Sequence, residues 1–162
     1  MPIPGSVEHF LGDQRVPYSV IHHRPTYTAQ EAAAITHVPG RQWAKTVACV
    51  GDDHAILAVV PASSLIDFDR LREVAGFSDI RLANEREFEG LYPDCETGAM
   101  PPLGPMYRQA VFVDRELALG DEIVFDAGSH TDAVRMRYDD FARIVRPRVG
   151  DFGRTRRGLM DD

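Results

Sequence analysis

Three features of this chain carry groups suited to catalysis: a lysine, a loop rich in glycine and proline, and a histidine in a turn. Lys45 is the only lysine among 18 basic residues, and it lies in the apolar run 43–50. This run predicts a buried strand. A compact ammonium on an apolar face costs free energy unless it has a role there. The alternative is a lysine near a strand end whose charge reaches water.

The second feature is the loop Gly98-Ala99-Met100-Pro101-Pro102-Leu103-Gly104. Glycine lets backbone N–H groups approach a ligand closely, and proline fixes the direction of the chain. Such a loop can direct N–H groups towards a developing oxyanion. It lacks the Lys-Ser/Thr ending of a P-loop and the glycine spacing of a dinucleotide-binding fingerprint. The alternative interpretation is a rigid connector.

The third feature is His130, which follows Gly128 and Ser129 in a turn between two predicted strands. A turn histidine can act as a general base or hold a substrate by hydrogen bonds, although it can equally be a surface residue. His22 ends an earlier predicted strand and is a candidate for the same pocket. No spacing of His, Cys, Asp and Glu resembles a zinc site, so we expect neither a metal nor a cofactor.

The composition predicts one soluble globular domain. The chain has 162 residues, of which 44% are hydrophobic and 27% are charged, and this is typical of such domains. No apolar stretch is long enough to span a bilayer, and the first residues do not resemble a signal peptide. With only Cys49 and Cys95, a reducing cytoplasm is the expected compartment. The net charge of −7 argues against DNA and other nonspecific nucleic-acid binding.

Periodicity and capping signals predict alternating helices and strands. The predicted helices cover 6–14, 28–35, 67–75, 84–91 and 138–145, and the predicted strands cover 18–22, 43–50, 54–60, 80–82, 110–113, 122–125 and 133–136. This order predicts an α+β domain with a mixed sheet and helices packed around it. We expect the domain to cover 1–150 and an arginine-rich tail to cover 151–162.

Five motifs occur in an order that resembles one known family. They are Thr28-Ala29-Gln30-Glu31-Ala32-Ala33, Ala44-Lys45-Thr46-Val47, the loop from Thr97 to Gly104, Val113-Asp114, and Ala127-Gly128-Ser129-His130. Together they resemble the YbaK/prolyl-tRNA synthetase-associated domain family, over residues 16–147. Members of this family are aminoacyl-tRNA deacylases, either free-standing or inserted in prolyl-tRNA synthetase.

The resemblance implies a curved, partly closed mixed β-sheet surrounded by helices, and hydrolysis of the ester that joins a wrong amino acid to tRNA. It implies that the family's functional lysine is Lys45, that its substrate loop is 98–104, and that its late Gly-x-His motif is Gly128 to His130. Thr46 stands where several relatives carry asparagine, which leaves the amino-acid preference open. The expected catalytic residues are Lys45, Gly98 and His130. The expected substrate-binding residues are His22, Thr46, Ala99, Met100, Pro101, Pro102, Gly104, Gly128 and Ser129.

The corresponding hypothesis is water attack on the ester carbonyl, with loop N–H groups stabilising the oxyanion. Lys45 would anchor the terminal adenosine phosphate or polarise the carbonyl, and His130 would orient the substrate or the water. Alanine or another small residue on tRNA for proline or a related tRNA is the expected substrate. The expected partners are the acceptor end of mischarged tRNA and, as a candidate, an aminoacyl-tRNA synthetase. The alternatives are a non-catalytic tRNA- or synthetase-binding module and a hydrolase of small esters.

Overall fold

A computed structural model describes residues 3–26 and 28–155 of the chain. The α-helices of this part are α1 (Gly5–Asp13), α2 (Ala29–Thr36), α3 (Phe68–Ala75), α4 (Glu85–Leu91), α5 (Arg115–Ala118) and α6 (Tyr138–Val145), with a 3-10 turn at Gly104–Tyr107. The strands are β1 (Ser19–His22), β2 (Trp43–Gly51), β3 (His54–Pro61), β4 (Ser64–Ile66), β5 (Ile80–Leu82), β6 (Ala110–Asp114), β7 (Glu122–Asp126), β8 (Asp132–Arg137), β9 (Arg148–Gly150) and β10 (Gly153–Thr155).

The main sheet is mixed, as predicted. Its strand order is β1-β8-β7-β2-β3-β6-β9, with β5 added to β2, while β10 and β4 form a separate pair. Parallel pairs join β2 to β7, β3 to β6 and β6 to β9, and the other pairs of the main sheet are antiparallel. The sheet path begins at β1 and ends at β9, so it does not close within the described ranges. The predicted α+β class, with a mixed sheet and helices packed around it, is confirmed.

The edge of β2 that faces away from β3 is paired only near its two ends. β7 pairs with residues 43–44, and β5 pairs with residues 49–51. Along a strand, the backbone groups of successive residues point to alternate edges. The carbonyl of Ala48 accepts from the N–H of Ala83 on this edge at 2.9 Å, so the backbone groups of Thr46 point to the same side. Within the described residues, a gap in the sheet therefore lies beside Thr46.

The core lies on both faces of this sheet. Residues 57–60 of β3 are fully buried, as expected for a central strand covered on both sides. On one face, Phe141 of α6 packs against Phe125 of β7, with ring centres 6.2 Å apart. On the other face, Leu71 of α3 packs in a cluster with Ile56. Each such buried side chain contributes about 1.5–3 kcal/mol, so both ends of β2 are firmly supported.

Local sequence signals begin and end the helices as predicted. The side chains of Thr28, Asp67 and Asn84 each accept a backbone N–H from the third residue of the helix that follows. The side chain of Glu87 in turn accepts the backbone N–H of Asn84, which completes a capping box. The two bonds satisfy N–H groups that the helix itself leaves unpaired. α3 ends at Gly76, where φ is 75°, a conformation that favours glycine.

The fold continues past the predicted domain end. Phe152 is fully buried, and β10 pairs with β4. The chain is thus part of the domain at least to Thr155, whereas the rest of the predicted tail, 156–162 with Arg156 and Arg157, lies outside the described residues. Periodicity missed β4, β9, β10 and α5 because each has only three or four residues and the three strands are held by partners distant in sequence.

Asp114 attaches this last segment to the domain, and its replacement should destabilise the fold. Its Oδ1 accepts the N–H groups of Phe152 at 3.1 Å and Gly153 at 2.7 Å, and the residue is 4% exposed. Asp114→Ala leaves these N–H groups without a partner, so we expect the free energy of unfolding to fall by about 2–4 kcal/mol. Urea denaturation measures this change.

The control for that measurement is Asp151→Ala. Asp151 is exposed and pairs only at the surface with Arg154, so its removal should cost less than about 1 kcal/mol. Equal effects of the two substitutions would show that Asp114 does not hold the segment in place.

Candidate active site

A cavity of about 930 Å³ opens at the gap in the sheet. Its walls include residues 44–48 of β2, residues 82–85 around the start of α4, and residues 96–98 of the glycine-containing loop. Because the outer edge of β2 has no strand partner beside Thr46 among the described residues, the backbone of Thr46 on this edge is directed towards the cavity. The cavity brings together the predicted residues Lys45, Thr46, Gly98, Met100 and His130.

Lys45 is half-buried in the wall of this cavity. Its Nζ donates to the carbonyl oxygen of Ser64, at the start of β4, at 2.5 Å. The ammonium has three N–H donors, and the carbonyl of Ser64 accepts a hydrogen bond from one of them. This bond restrains the flexible side chain of Lys45. The strand context predicted from the sequence is therefore correct, and the charge stays at the cavity wall.

The glycine-containing loop and the histidine turn are joined by hydrogen bonds. The N–H of Glu96 donates to the carbonyl of Gly128, and the N–H of Gly128 donates to the carbonyl of Ala99, both at 2.8 Å. The N–H of His130 donates to Oε2 of Glu96 at 3.3 Å. Gly98 has a φ of 83°, and a Cβ there would lie 3.9 Å from the His130 ring. Two motifs distant in sequence thus form one unit.

The ring of His130 is oriented by the same loop. Its Nε2 lies 2.9 Å from the carbonyl oxygen of Thr97. A carbonyl only accepts, so Nε2 carries a proton and Nδ1 is an acceptor while the ring is neutral. Nδ1 lies 3.8 Å from Oδ2 of Asp126, which is beyond hydrogen-bond distance.

Asp126 and Glu96 were missed from the sequence, although both line the cavity. The side chain of Asp126 is 17% exposed, and its Oδ1 has no hydrogen-bond partner among the described residues. Burial raises the pKa of Asp126 to about 6, while the nearby His130 and His23 lower it and Glu96 raises it. The available signal was the position of Asp126 at the end of a strand, four residues before His130.

The N–H groups of the loop are not equally available. The N–H of Ala99 donates to the carbonyl of Glu96 at 3.0 Å, so it is already satisfied within the turn. Within the described residues, the N–H groups of Gly98 and Met100 have no hydrogen-bond partner. Both residues line the cavity. The loop therefore offers Gly98 and Met100, rather than Ala99, as donors to an oxyanion.

The remainder of the predicted loop supports the site from outside the cavity. Ala99, Pro101 and Pro102 are buried and are not part of the lining. Gly104 begins the 3-10 turn and packs closely against the backbone of Gln109. The predicted substrate loop thus reaches the cavity only through its first half.

Three further predicted residues also lie outside the cavity. Gly128 has a φ of 100°, and a Cβ at this position would collide with Pro4. Ser129 donates to Oδ2 of Asp132 at 2.9 Å, and Nδ1 of His22 lies 2.5 Å from Oδ1 of the same carboxylate. Burial would raise the pKa of Asp132, but hydrogen bonds, first that from Ser129, lower it overall. His22 and Ser129 therefore fix the turn rather than line the cavity.

The described residues form neither a metal centre nor a membrane-spanning helix, and burial disfavours a reactive cysteine. In the described ranges 3–26 and 28–155, no group of three or more His, Cys, Asp or Glu side chains is arranged to hold a metal ion. No helix in these ranges is both long and apolar enough to cross a membrane. Burial raises the pKa of Cys49 to about 12, and burial also raises that of Cys95, which disfavours the reactive thiolate at both positions.

Comparison with known proteins agrees with this arrangement. Residues 23–144 match the family model of the aminoacyl-tRNA editing domain. The Multifunctional Ser/Thr-tRNA deacylase ProXp-y of Escherichia coli K12 is 27% identical over 93% of this chain and 96% of its own length. The proline--tRNA ligase of Thiobacillus denitrificans is 26% identical over 62% of this chain and 17% of the ligase.

A similar fold is also known from experiment. The crystal structure of a candidate trans-editing enzyme for prolyl tRNA synthetase aligns with a TM-score of 0.81 at 22% identity, over 92% of this chain and 95% of the other. The matched family segment contains Lys45, the Gly98 loop and His130, so the resemblance inferred from the sequence motifs is confirmed. This chain belongs to the aminoacyl-tRNA editing domain family and is an aminoacyl-tRNA deacylase, an enzyme that hydrolyses the ester between an amino acid and tRNA.

Proposed function

We propose that the enzyme removes a small amino acid, with alanine as the first candidate, from mischarged tRNA for proline or a related tRNA. The observation that carries this proposal is the composition of the cavity at the gap in β2. The cavity combines the ammonium of Lys45, the oriented ring of His130 and the N–H of Gly98, which has no hydrogen-bond partner among the described residues. An activated ester needs little more than a positioned water and a stabilised oxyanion, so no side-chain nucleophile is required.

In this mechanism, water attacks the ester carbonyl carbon and loses a proton to solvent, and the carbonyl oxygen becomes an oxyanion. The tetrahedral intermediate then collapses: the carbonyl reforms, the bond to the ribose oxygen breaks, and that oxygen takes up a proton and leaves as the free hydroxyl of tRNA. The N–H groups of Gly98 and Met100 stabilise that oxyanion, and one such donor is typically worth about 3 kcal/mol. Lys45, positioned by Ser64, binds the terminal adenosine phosphate or polarises the carbonyl. His130 orients the substrate or the water through Nδ1, because its Nε2 is engaged by the loop.

The lining of the cavity combines short and bulky residues. The short residues Ala44, Ala48, Ala62 and Ala83 leave room for the ligand, while Leu82, Phe88 and Met100 are the bulky side chains that can limit the size of the amino acid. The cavity volume of about 930 Å³ lies within the range of small-molecule sites, and it is shared here between the terminal nucleotide and the amino acid. Editing by size exclusion is useful because a synthetase site discriminates weakly against smaller side chains.

Serine or threonine is the second candidate for the amino acid. The Escherichia coli relative is named for both, and its similarity extends over nearly the whole chain. The carboxylate of Glu96 in the cavity lining offers an acceptor for a side-chain hydroxyl. We further propose that the acceptor end of tRNA is the direct partner, that a synthetase is a candidate for delivering it, and that the reaction takes place in the cytoplasm.

Replacement of Lys45 should impair deacylation of mischarged tRNA. Removing a charged hydrogen-bonding group costs about 1.5–3 kcal/mol, so Lys45→Ala should lower kcat/KM on the order of 10- to 100-fold. Lys45→Arg should fail to restore activity, because a planar guanidinium does not fit the site of a compact ammonium. The measurement is a panel of alanyl-, seryl-, threonyl- and prolyl-tRNA, with wild type and variants assayed side by side.

Arg70→Ala is the matched control for this experiment, since Arg70 is an exposed cation on α3, away from the cavity lining. It should retain wild-type rates. Full activity of a folded Lys45→Ala enzyme would refute the role given to this lysine, and equal rates on all four esters would refute selection by size.

The rate on tRNA should depend on salt if the single-stranded acceptor end is the partner. Each contact with a single-stranded phosphate contributes a slope of about −0.7 in log rate against log salt. Three contacts predict a fall of roughly 10- to 20-fold in kcat/KM between about 50 and 200 mM salt. The reference is a small aminoacyl ester without tRNA, which should change little. Equally flat profiles for both substrates would favour the hydrolase of small esters.

A further inference from the structure

The end of the cavity near His130 carries an acidic group that the proposed mechanism does not use. Asp126 ends β7 and lines the cavity, with a side chain 17% exposed. Its Oδ1 is buried and has no hydrogen-bond partner among the described residues, so Oδ2 is the oxygen that a ligand in the cavity can reach. A largely buried carboxylate costs free energy unless a positive charge or hydrogen-bond donors compensate it. A ligand that supplies both would relieve this cost.

The neighbouring groups are acceptors as well. Because Nε2 of His130 donates to Thr97, Nδ1 of the neutral ring presents a lone pair, 3.8 Å from Oδ2 of Asp126. That separation is too long for a direct hydrogen bond, but one nitrogen can lie at about 2.9 Å from both atoms. A primary ammonium has three donors and a positive charge, so it fits two acceptors arranged in this way.

We propose that Asp126, together with Nδ1 of His130, binds the α-ammonium group of the aminoacyl moiety and makes the enzyme select aminoacyl esters over other acyl esters. The proposal rests on the proposed function and assigns Asp126 as a specificity residue. The α-ammonium is separated from the ester carbonyl by one carbon atom. Gly98 is adjacent to the His130 ring, so an ammonium bound there places the carbonyl close to the oxyanion donors.

This arrangement gives recognition that is independent of the side chain. Every aminoacyl ester carries the α-ammonium, whereas an ester with a hydroxyl in its place does not. The hydroxyl analogue brings no charge, so it leaves the carboxylate of Asp126 uncompensated. Sites that bind a polar group reject analogues that lack it, because their own buried groups are then unpaired. Bulky lining residues such as Phe88 and Met100 can thus select the side chain by size, while Asp126 recognises the ammonium.

The recognition should also depend on pH. Burial raises the pKa of Asp126 to about 6, with Glu96 raising it and His130 and His23 lowering it. Below about pH 6 the carboxyl takes up a proton and loses its attraction for the ammonium. An α-amino group loses its proton near pH 8, so above this pH the substrate no longer carries the positive charge that Asp126 attracts. The preference for aminoacyl esters should therefore be greatest between these two values.

The test compares two substrates that differ only at this group: alanyl-tRNA and lactyl-tRNA, in which a hydroxyl replaces the ammonium. Wild type should prefer the alanyl ester in kcat/KM on the order of 10- to 100-fold. Asp126→Asn, which keeps the shape of the side chain, should bring this ratio close to one. Cleavage of the lactyl ester should persist in this variant and shows that it is folded.

Two control variants separate ammonium recognition from general damage. Glu85→Gln removes another carboxylate of the cavity lining, on α4, and should leave the alanyl-to-lactyl ratio unchanged. Lys45→Ala should slow both substrates equally. If Asp126→Asn slows both esters to the same extent, or if wild type does not distinguish them, the ammonium site is overturned while deacylation stands. If wild type cleaves neither ester, the proposed substrate and the ammonium site both fail.

Discussion

The candidate site depends on one constraint of the sheet: in the part of the chain that the structure describes, β2 is paired on its outer edge at both ends but not beside Thr46. A buried strand edge normally pairs all its backbone groups, because an unpaired N–H or C=O without water costs free energy. Here the two ends are supported by β7 and β5, and the gap between them opens a cavity. Lys45 and Thr46 face this cavity because the ladder stops beside them.

The second requirement is the joint between the Gly98 loop and the His130 turn. Backbone bonds between Glu96, Ala99 and Gly128 fix one segment to the other. The two glycines contribute to this connection in different ways. Gly98 adopts a left-handed backbone conformation next to the ring of His130, whereas Gly128 permits the close approach of Pro4. Backbone bonds of this kind hold catalytic groups in position more firmly than exposed side chains can.

Much of the fold was readable from the sequence because its signals are local. Caps such as Thr28 and Asn84 fix helix starts through the nearest residues. The site was predicted in part: Lys45 and His130 stand out by residue type and motif, and both line the cavity. Asp126 was missed because an aspartate after a strand resembles a turn residue, and only tertiary packing makes it buried. His22 was included because it ends a predicted strand, but its actual partner, Asp132, is distant in sequence.

Under the function proposed above, the cavity has to bind groups of opposite charge. Phosphates of tRNA attract cations, whereas the ammonium of an amino acid attracts anions, and a net charge of −7 favours only the second. The cavity separates the two by position. Lys45 is held at the β2 wall by a carbonyl of β4, while Asp126 and Glu96 lie with the loop and the turn. An ester that brings phosphate to one wall and ammonium to the other is oriented before water attacks, which reduces the entropic part of the barrier.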